Sequence, residues 1–432
     1  MPATHPEVPP RLLYANEAGE ICDFPELMAA GRSLHDFQLP EPHHFIPLPE
    51  GSELFVLPDR SPVGIDPTTG DAVHLAEDPA RPGRPAHGVA AFMAPAHTTI
   101  YTAAFEKKEP GGIPLPLFAY TAVGWAEGRF WVCAFRSDPD LRQEPGRFKP
   151  STIKKATTRR LKEFPENRLI QHLGTCSLTY GCPAAINFFM DRWEAPLPTS
   201  PTCNASCLGC ISLQPSGCCP ATQDRIRFIP TPEEIAEVAI PHLQRVKQGV
   251  VSFGQGCEGE PLLQSTTIEA AITLIRRNAP NRGTINLNSN SSLPDQVARL
   301  AKAGLDSLRV SLNSAQKLYH QRYYQPKGFC LNEVKESIRV MKEAGKFVSL
   351  NYFILPGVTD SPPEYQALCE LIEDCHPDFI QLRNLNMDPD WYLEGINFNT
   401  LTKPMGILQW HADLAKRFPS LRFGYFNPSL RD

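Results

Sequence analysis

The sequence predicts an α/β protein, in which a mainly β (α+β) N-terminal domain precedes a partial parallel barrel. After residue 230, apolar runs of strand length alternate with amphipathic segments of about 10–15 residues, as expected for parallel strands joined by helices. Before residue 120 the chain holds much of its proline (44 residues in all), which indicates a loop-rich region. Three closely spaced cysteines, from Cys203 to Cys210, mark the start of the barrel.

The length of 432 residues favours two or three domains. We predict an N-terminal accessory domain over residues 1–170, a connecting segment over 171–194, and the barrel with a C-terminal extension over 195–432. In the accessory domain, β-prone runs bounded by turn residues predict the strands. These strands span 53–57, 89–93, 98–104 and 117–123, and a hairpin over 124–135 turns at Glu127 and Gly128.

The barrel elements have recognisable end signals. Thr231 is a good N-cap and Pro232 suits the first turn, so we expect a helix over 231–246 that Pro241 kinks or splits. Glycines end two later helices. The remaining predicted elements are strands over 250–254, 284–287, 307–313, 347–354 and 378–382, and helices over 294–303, 331–344 and 363–375. Six such units with right-handed crossovers give a partial (β/α)6 TIM-like barrel.

The three cysteines have the spacing C-x3-C-x2-C, in the order Cys203, Cys207 and Cys210. Three thiolates on one short loop can bind three irons of a 4Fe–4S cube and leave the fourth iron open. Half of a zinc site is an alternative, although structural zinc takes four ligands. A disulfide cluster is a second alternative, although nothing marks the chain as secreted.

A second motif follows one predicted helix later, where the strand over 250–254 runs into Gln255-Gly256-Cys257-Glu258-Gly259-Glu260-Pro261. Glycine at such a point permits close approach of the backbone to a ligand. A plain strand-to-helix turn is the simpler interpretation. The two motifs together resemble the radical SAM (S-adenosylmethionine) superfamily, whose cysteine spacing is the same and whose second strand ends in G-G-E-P. Gly259 and Glu260 match that stretch, whereas Glu258 stands where the first glycine usually does.

The resemblance implies which residues hold the cofactors. Cys203, Cys207 and Cys210 are the expected cluster ligands and catalytic residues. The expected SAM contacts lie at the carboxyl ends of successive strands, where β/α barrels gather ligand groups. They are Ile211, Gly259, Glu260, Asn288, Asn290, Arg309, Ser311, Asn313 and Val358. Arg309 pairs either with the SAM carboxylate or with a structural partner, and Ile211 partly replaces the aromatic residue that the family often has where Gly209 stands. Arg383 and Asn384 end the sixth strand and are expected to face the cavity.

The activity that the resemblance implies is reductive cleavage of SAM to a 5′-deoxyadenosyl radical, which abstracts a hydrogen atom from a small-molecule or peptide substrate. An iron–sulfur protein for electron transfer or redox sensing is the alternative outside enzymes. Within enzymes, the alternative is a SAM-dependent radical methyltransferase, with Cys330 or Cys257 as methyl carrier.

Ten further cysteines accompany the three in the motif. An auxiliary Fe–S cluster is one hypothesis for five of them, because thiolate-rich sites suit iron–sulfur centres. Those five are Cys176, Cys182, Cys218, Cys219 and Cys257. The alternative is that they are buried free thiols, which behave as small hydrophobic residues.

Composition limits the partners and the location. The net charge of −5 counts against a nucleic-acid substrate, and no apolar stretch is long enough for a membrane span. The N-terminus lacks a signal-peptide pattern and the odd count of 13 cysteines suits a reducing compartment, so we expect a cytoplasmic protein. A flavodoxin or ferredoxin-type reductant is the expected electron donor. The basic stretch over 147–168 is either a solvated helical face or a contact for such a partner or for an anionic substrate.

Overall fold

The computed structural model describes residues 4–108, 112–144, 149–214 and 219–431. Its N-terminal part is mainly β, as predicted, and its strands pair antiparallel. The strands are β1 Arg11–Ala15, β2 Ile21–Ala29, β3 Gly31–Ser33, β4 Asp36–Gln38, β5 Phe45–Pro47, β6 Glu53–Leu57, β7 Arg60–Ile65, β8 Ala72–His74, β9 His87–Phe92, β10 His97–Thr99, β11 Thr102–Ala103, β12 Phe105–Lys107, β13 Val123–Ala126 and β14 Arg129–Arg136. Eleven of them form one sheet, and β11, β3 and β4 form another.

Most N-terminal strand predictions are close to the observed strands. The β13–β14 hairpin turns at Glu127 and Gly128, both of which have positive φ. The strand predicted over 117–123 is wrong, because β13 begins only at Val123. The segment before it contains Thr121, whose backbone bridges two strands, at Ala91 and Thr102, without continuing a ladder.

Three helices connect this domain to the barrel: α1 Pro150–Glu163, α2 Arg168–Leu178 and α3 Pro183–Phe189. Asn167 caps α2 by accepting a hydrogen bond from the Ile170 backbone N–H at 2.9 Å. Leu169, Ile170 and Leu173 are buried in the same core as the barrel strands. The connecting helices are therefore packed into the barrel's hydrophobic core.

The barrel sheet has seven parallel strands in chain order, so the prediction of six is wrong by one. The strands are β15 Glu194–Pro196, β16 Val250–Phe253, β17 Thr284–Ser289, β18 Ser307–Leu312, β19 Phe347–Ile354, β20 Phe379–Asn384 and β21 Arg422–Gly424. β21 pairs with β20 and comes from the C-terminal extension. Three residues are too few to show an apolar pattern, so this strand could not be predicted from the sequence.

The barrel has eight helices in the described part of the chain, of which the sequence predicted four, over 231–246, 294–303, 331–344 and 363–375, each within one residue of its observed bounds. They are α4 Pro232–Arg245, α5 Ser265–Asn278, α6 Pro294–Ala303, α7 Lys317–Tyr324, α8 Leu331–Glu343, α9 Pro362–Cys375, α10 Pro389–Ile396 and α11 Ile407–Arg417. Short 3₁₀ helices span Pro42–His44, Leu141–Gln143 and Pro261–Gln264. α4 runs unbroken through Pro241, so the helix is not split there. Among the described residues, every helix is too short or too polar to cross a membrane.

The N-terminal domain contacts the carboxyl ends of β19 and β20. Arg60 forms a buried ion pair with Asp388 at 2.9 Å, and the same carboxylate accepts from the Leu115 backbone N–H. The Asn384 side chain accepts from the backbone N–H of Thr99 and donates to the backbone of β10. Asn384 is therefore part of the contact between domains, and its expected place facing the cavity is wrong. The β domain covers this side of the barrel mouth.

Candidate functional site

The three cysteines lie on the loop that follows β15, here called the cluster loop (residues 197–214). Two backbone hydrogen bonds attach it to the end of α7: Ser206 N–H donates to Tyr324 O at 2.9 Å, and Leu208 N–H donates to Tyr323 O at 3.0 Å. All three cysteines are only partly exposed. The loop is thus held by the barrel rim instead of standing free.

Burial raises the pKa of the Cys203 thiol to about 11 and holds the pKa of the Cys207 thiol well above its usual range. A metal ion or cluster deprotonates such thiols when it binds them, so the site favours bound metal over free thiolates. Arg225 lies beside the third ligand, with Nη2 3.6 Å from the Cys210 Sγ and hydrogen bonds at 3.1 Å to Ser212 Oγ. Sequence reasoning missed Arg225, which lies in a loop with no motif around it.

The stretch after β16, here called the glutamate loop (residues 254–260), packs directly against the cluster loop. A Cβ at Gly259 would lie 1.9 Å from the Thr202 carbonyl oxygen, a distance that only glycine tolerates. Glu260 N–H donates to that same oxygen at 2.8 Å, and Gly259 N–H donates to Ser200 O at 2.7 Å. The backbone next to Cys203 is therefore fixed by the glutamate loop.

Glu258, the residue at which the motif departs from G-G-E-P, binds backbone groups on both loops. Its buried carboxylate accepts four hydrogen bonds of 2.7–2.9 Å. The donors are the backbone N–H groups of Thr199, Ser200, Gly254 and Gln255. Burial raises the pKa of Glu258 to about 7. The side chain joins the start of the cluster loop to the end of β16.

Glu260 is also buried, and burial raises its pKa to about 7. Its carboxylate accepts from Ser289 Oγ at 2.6 Å, from Asn290 N–H at 2.9 Å and from the Leu262 backbone. Asn290 in turn donates from Nδ2 to Asn204 Oδ1 on the cluster loop at 2.8 Å. Glu260 thereby positions the end of β17 against the cluster loop.

Comparison with known families gives a match of residues 197–367 to the family described as the radical SAM superfamily. Residues 197–367 are therefore a radical SAM domain. Members of this superfamily use a 4Fe–4S cluster and SAM, and they require a reductant.

Two curated relatives and one solved structure are similar to this chain. The dual-specificity RNA methyltransferase RlmN of Phenylobacterium zucineum is 26% identical over 222 residues, which are 48% of this chain and 56% of the relative. The FeMo cofactor biosynthesis protein NifB of Klebsiella pneumoniae is 24% identical over 182 residues, 38% of each chain. A radical SAM methyltransferase from Sphaerobacter thermophilus aligns at 16% identity over 54% of this chain and 66% of its own, with a TM-score of 0.38.

These relatives correct one expectation without assigning a substrate. The chain spans about half or less of the length of the curated relatives, so their activities do not transfer as a whole. RlmN is named an RNA methyltransferase, and the exclusion of nucleic acid on the basis of net charge is therefore not supported.

The inner face of the radical SAM barrel is open toward its mouth. Along β18, Arg309 and Ser311 are partly exposed, whereas the alternating Leu308, Val310 and Leu312 are buried in the core outside the sheet. Arg383 on β20 is partly exposed in the same way. Expected cofactor contacts on these strands therefore face a shared interior space.

Several polar atoms in that space have no hydrogen-bond partner among the described residues. They are Arg309 Nε, Arg383 Nε and Asn313 Oδ1. Arg309 and Arg383 each donate to Gln381 Oε1, at 3.3 and 3.2 Å, and burial followed by the Arg383 charge lowers the pKa of Arg309 to about 9. Asn288, in contrast, donates a hydrogen bond from Nδ2 to Gly254 O at 3.1 Å. The unpaired atoms are groups that a bound polar ligand would satisfy, which fits a SAM pocket.

An apolar surface lies next to these polar groups. Val358 is buried together with Tyr323 and Met387, and Ile211 packs against the same cluster. A Cβ at Gly209 would lie 2.9 Å from the Met387 sulfur and 3.2 Å from the Tyr323 hydroxyl. An aromatic side chain at position 209 would collide with both, so the aromatic surface at this point comes from Tyr323 on α7.

The five cysteines considered for an auxiliary cluster do not form one group. Cys176, Cys182 and Cys257 pack together, while Cys219 is buried in the apolar cluster around Tyr323. Cys218 lies outside the described residues. The hydrogen bond from the Cys257 thiol is the largest cause that lowers the pKa of Cys176 to about 5. The five-cysteine arrangement is therefore replaced by a smaller group near α2.

Proposed function

We propose that this chain binds a 4Fe–4S cluster through Cys203, Cys207 and Cys210 and uses SAM to abstract a hydrogen atom from a substrate with an anionic group. When bound, the cluster supplies the electron that cleaves SAM to methionine and a 5′-deoxyadenosyl radical. The observation that supports this best is the packing of the glutamate loop on the cluster loop, in which Gly259 leaves no space for a side chain.

The chain's own residues would bind and orient SAM. Asn313 Oδ1 is a buried acceptor without a donor among the described residues, so it suits a hydroxyl or amino group of the cofactor. Asn313 Nδ2 is held by Tyr319 O and the Tyr392 hydroxyl, both at 3.2 Å, which fixes the direction of the acceptor. Val358 and Ile211 would pack on the adenine, and Asn290 and Ser311 would contact the ribose and carboxylate.

The proposal of an anionic substrate rests on the charges inside the barrel. Arg309 and Arg383 share one acceptor, Gln381, and each keeps an unpaired Nε. The nearby carboxylate of Glu194 already accepts from Asn427 Nδ2 at 2.8 Å. Two guanidinium groups near one carboxylate in a partly dry cavity favour a ligand with a carboxylate or phosphate. A small molecule, a peptide or a nucleotide could supply that group.

Two ligands are possible for Arg309: the SAM carboxylate and the substrate. Anaerobic binding of SAM and of decarboxylated SAM to wild type and to Arg309→Gln separates them. If Arg309 binds the SAM carboxylate, the substitution weakens SAM binding at least about tenfold and leaves decarboxylated SAM unchanged. If the affinities for SAM and for decarboxylated SAM are both unchanged, we infer that Arg309 binds the substrate. Arg383→Gln is the matched second variant.

A second candidate is radical methyl transfer, which the similarity to RlmN favours. Cys257 is the weaker of the two proposed methyl carriers, because its thiol is buried against Cys176 and faces α2. Cys330 is partly exposed at the N-cap of α8. Transfer of label from methyl-labelled SAM to substrate, lost in Cys330→Ala, would favour this candidate.

The test of the main proposal is anaerobic. The reconstituted protein is mixed with SAM and dithionite, and 5′-deoxyadenosine is quantified for wild type, for Cys203→Ala/Cys207→Ala/Cys210→Ala, and for the control Cys369→Ser/Cys375→Ser. We expect 5′-deoxyadenosine from wild type and control only. A reducible wild-type cluster that yields none, with or without cell extract as a source of substrate, would support the electron-transfer alternative instead.

The reductant is part of the proposal. A flavodoxin or ferredoxin is acidic, and α1 exposes Lys154, Lys155, Arg159 and Lys162 on its surface. The fifth cation of α1, Arg160, is instead buried in an ion pair with Asp191 at 3.0 Å. Charge reversal of the exposed lysines should slow turnover with flavodoxin and leave turnover with dithionite unchanged.

A further inference from the structure

A second group of metal-binding side chains lies behind the glutamate loop, away from Cys203, Cys207 and Cys210. His172 and Cys176 are four residues apart on α2 and therefore project from the same face of the helix. His172 Nε2 lies 3.6 Å from Cys176 Sγ. The third member is Cys257, and the ligand atoms of His172, Cys176 and Cys257 all lie within 4.8 Å of one another.

We infer that His172, Cys176 and Cys257, with Cys182 as the fourth ligand, form a site for a single zinc ion. The distance between His172 and Cys176 suits a tetrahedral ion. With Zn–N of about 2.0–2.1 Å and Zn–S of about 2.3 Å, tetrahedral angles place a nitrogen and a sulfur ligand about 3.6 Å apart and two sulfurs about 3.8 Å apart. The observed 3.6 Å between His172 and Cys176 equals the first value.

Cys182 packs beside this group and is the candidate for the fourth ligand, although its Sγ is not among the atoms that converge within 4.8 Å. It stands at the N-cap of α3, and its backbone N–H donates to Cys176 O at 3.0 Å. It packs against the buried group formed by Cys176, Ala185 and Cys257. Three thiolates and one imidazole form the Cys₃His ligand set that structural zinc sites commonly have.

The convergence of the ligand atoms distinguishes this site from an auxiliary iron–sulfur cluster. A cube binds each thiolate through a different iron, so its ligands need not meet at one point. Here three ligand atoms from two parts of the chain already do so, and Cys176 and Cys257 are 1% and 3% exposed. Imidazole and thiolate donors together suit zinc.

A zinc ion here would join the connecting helices to the SAM motif. Cys257 directly precedes Glu258, which binds the start of the cluster loop, and Cys257 O accepts from Ile226 N–H at 2.7 Å. α2 and α3 would then be fastened to the glutamate loop by metal bonds as well as by packing. The role is structural, and it does not depend on the proposed reaction.

The experiment measures zinc and iron per chain by plasma mass spectrometry in anaerobically purified protein. Four proteins are compared: wild type, Cys203→Ala/Cys207→Ala/Cys210→Ala, His172→Gln/Cys176→Ser/Cys257→Ser, and the control Cys369→Ser/Cys375→Ser. The single variant His172→Gln is added in case the triple second-site variant does not fold, and its zinc affinity is measured by competition with a chromophoric chelator. Circular dichroism checks the fold of each.

We expect about one zinc per chain in wild type, in the variant without cluster cysteines and in the control, as the four ligands imply. The second-site variant should lose it, and His172→Gln should bind zinc at least about tenfold more weakly. Cobalt(II) added to the metal-stripped variant without cluster cysteines should give the visible bands of a tetrahedral thiolate site. Because that variant cannot cleave SAM, this result is independent of the proposed function.

Three results would overturn the inference. One is less than about a fifth of a zinc per chain in both wild type and the variant without cluster cysteines. Another is about four irons per chain remaining in that variant, which would assign an iron–sulfur cluster to this group. The third is a Cys176–Cys257 disulfide in the anaerobic protein, detected by mass spectrometry, which would make the pair a redox element.

Discussion

Gly259→Ala tests whether the contact between the glutamate loop and the cluster loop positions the first cluster ligand. The added Cβ would lie 1.9 Å from Thr202 O and 2.4 Å from Thr202 C, both backbone atoms that cannot rotate away. Contacts of that kind are not seen below 3.0 Å, so the two loops must separate by about 1 Å. Thr202 directly precedes Cys203, and the displacement is therefore passed to the cluster ligand.

The same displacement breaks the two backbone hydrogen bonds between the loops, from Glu260 N–H to Thr202 O at 2.8 Å and from Gly259 N–H to Ser200 O at 2.7 Å. At about 0.5–1.5 kcal/mol each, their loss lowers the free energy of unfolding by about 1–3 kcal/mol. The effect on activity should be larger, because a misplacement of about 1 Å in a catalytic site costs roughly a hundredfold in rate.

The assay compares Gly259→Ala with wild type and with Gly88→Ala. Gly88 lies in the β domain, where an added Cβ would meet its nearest atom at an ordinary 3.4 Å. Iron per chain, thermal unfolding and the rate of 5′-deoxyadenosine formation are measured for each protein. The reasoning is refuted if Gly259→Ala keeps the iron content of wild type and cleaves SAM within about threefold of its rate.

Three further predictions concern charged groups. Arg225→Gln removes the guanidinium group that lies 3.6 Å from Cys210 Sγ, and it should lower the reduction potential of the cluster. The expected decrease is about 40 mV for each kcal/mol by which that contact favours the reduced cluster. Redox titration followed by EPR measures it. Asp388→Ala leaves the buried Arg60 unpaired and should lower the free energy of unfolding by about 3–5 kcal/mol in urea titrations. Burial lowers the pKa of His242 from 6.5 to about 4. The neutral side chain therefore contributes about 3 kcal/mol to the free energy of unfolding above pH 6.5, and this contribution is lost as the pH falls toward 4. The free energy of unfolding of His242→Gln should depend less on pH between those two values.

Each of these predictions has a control or an outcome that would contradict it. Arg225→Lys, which keeps the charge, should recover part of the potential, and equal potentials in Arg225→Gln and wild type would contradict the first. For the second, Arg417→Ala breaks an exposed pair with Glu373 and should cost less than about 1 kcal/mol. For the third, identical slopes of stability against pH in His242→Gln and wild type would show that His242 is not buried in its neutral form.

The sequence determined the repeating part of the fold, because strand and helix periodicity are local properties. α6 and β19 have the predicted bounds, and several other barrel elements differ by one or two residues at an end. Elements with little local pattern were missed, such as the three residues of β21 and the short helix α7. β21 forms only because β20 offers it a free edge, which no window of sequence can show.

For the candidate site, the sequence determined which residues carry the chemistry, because the spacing of three cysteines and the motif around Glu260 are covalent facts. Tertiary structure decided how those residues are used. Glu258 proved to be an acceptor for four backbone N–H groups, and Asn384 proved to bind the β domain. Both roles depend on loops that are distant in the chain and adjacent in space.

Tertiary packing also determined which of the remaining cysteines lie close together. The sequence grouped five cysteines by proximity along the chain, whereas folding placed His172 beside Cys176 and Cys257 and buried Cys219 elsewhere. Helical spacing brings His172 and Cys176 to one face, but only the packing of α2 against the glutamate loop adds Cys257. Ligand types can therefore be read from the sequence, while the set that converges on one point is fixed by long-range contacts.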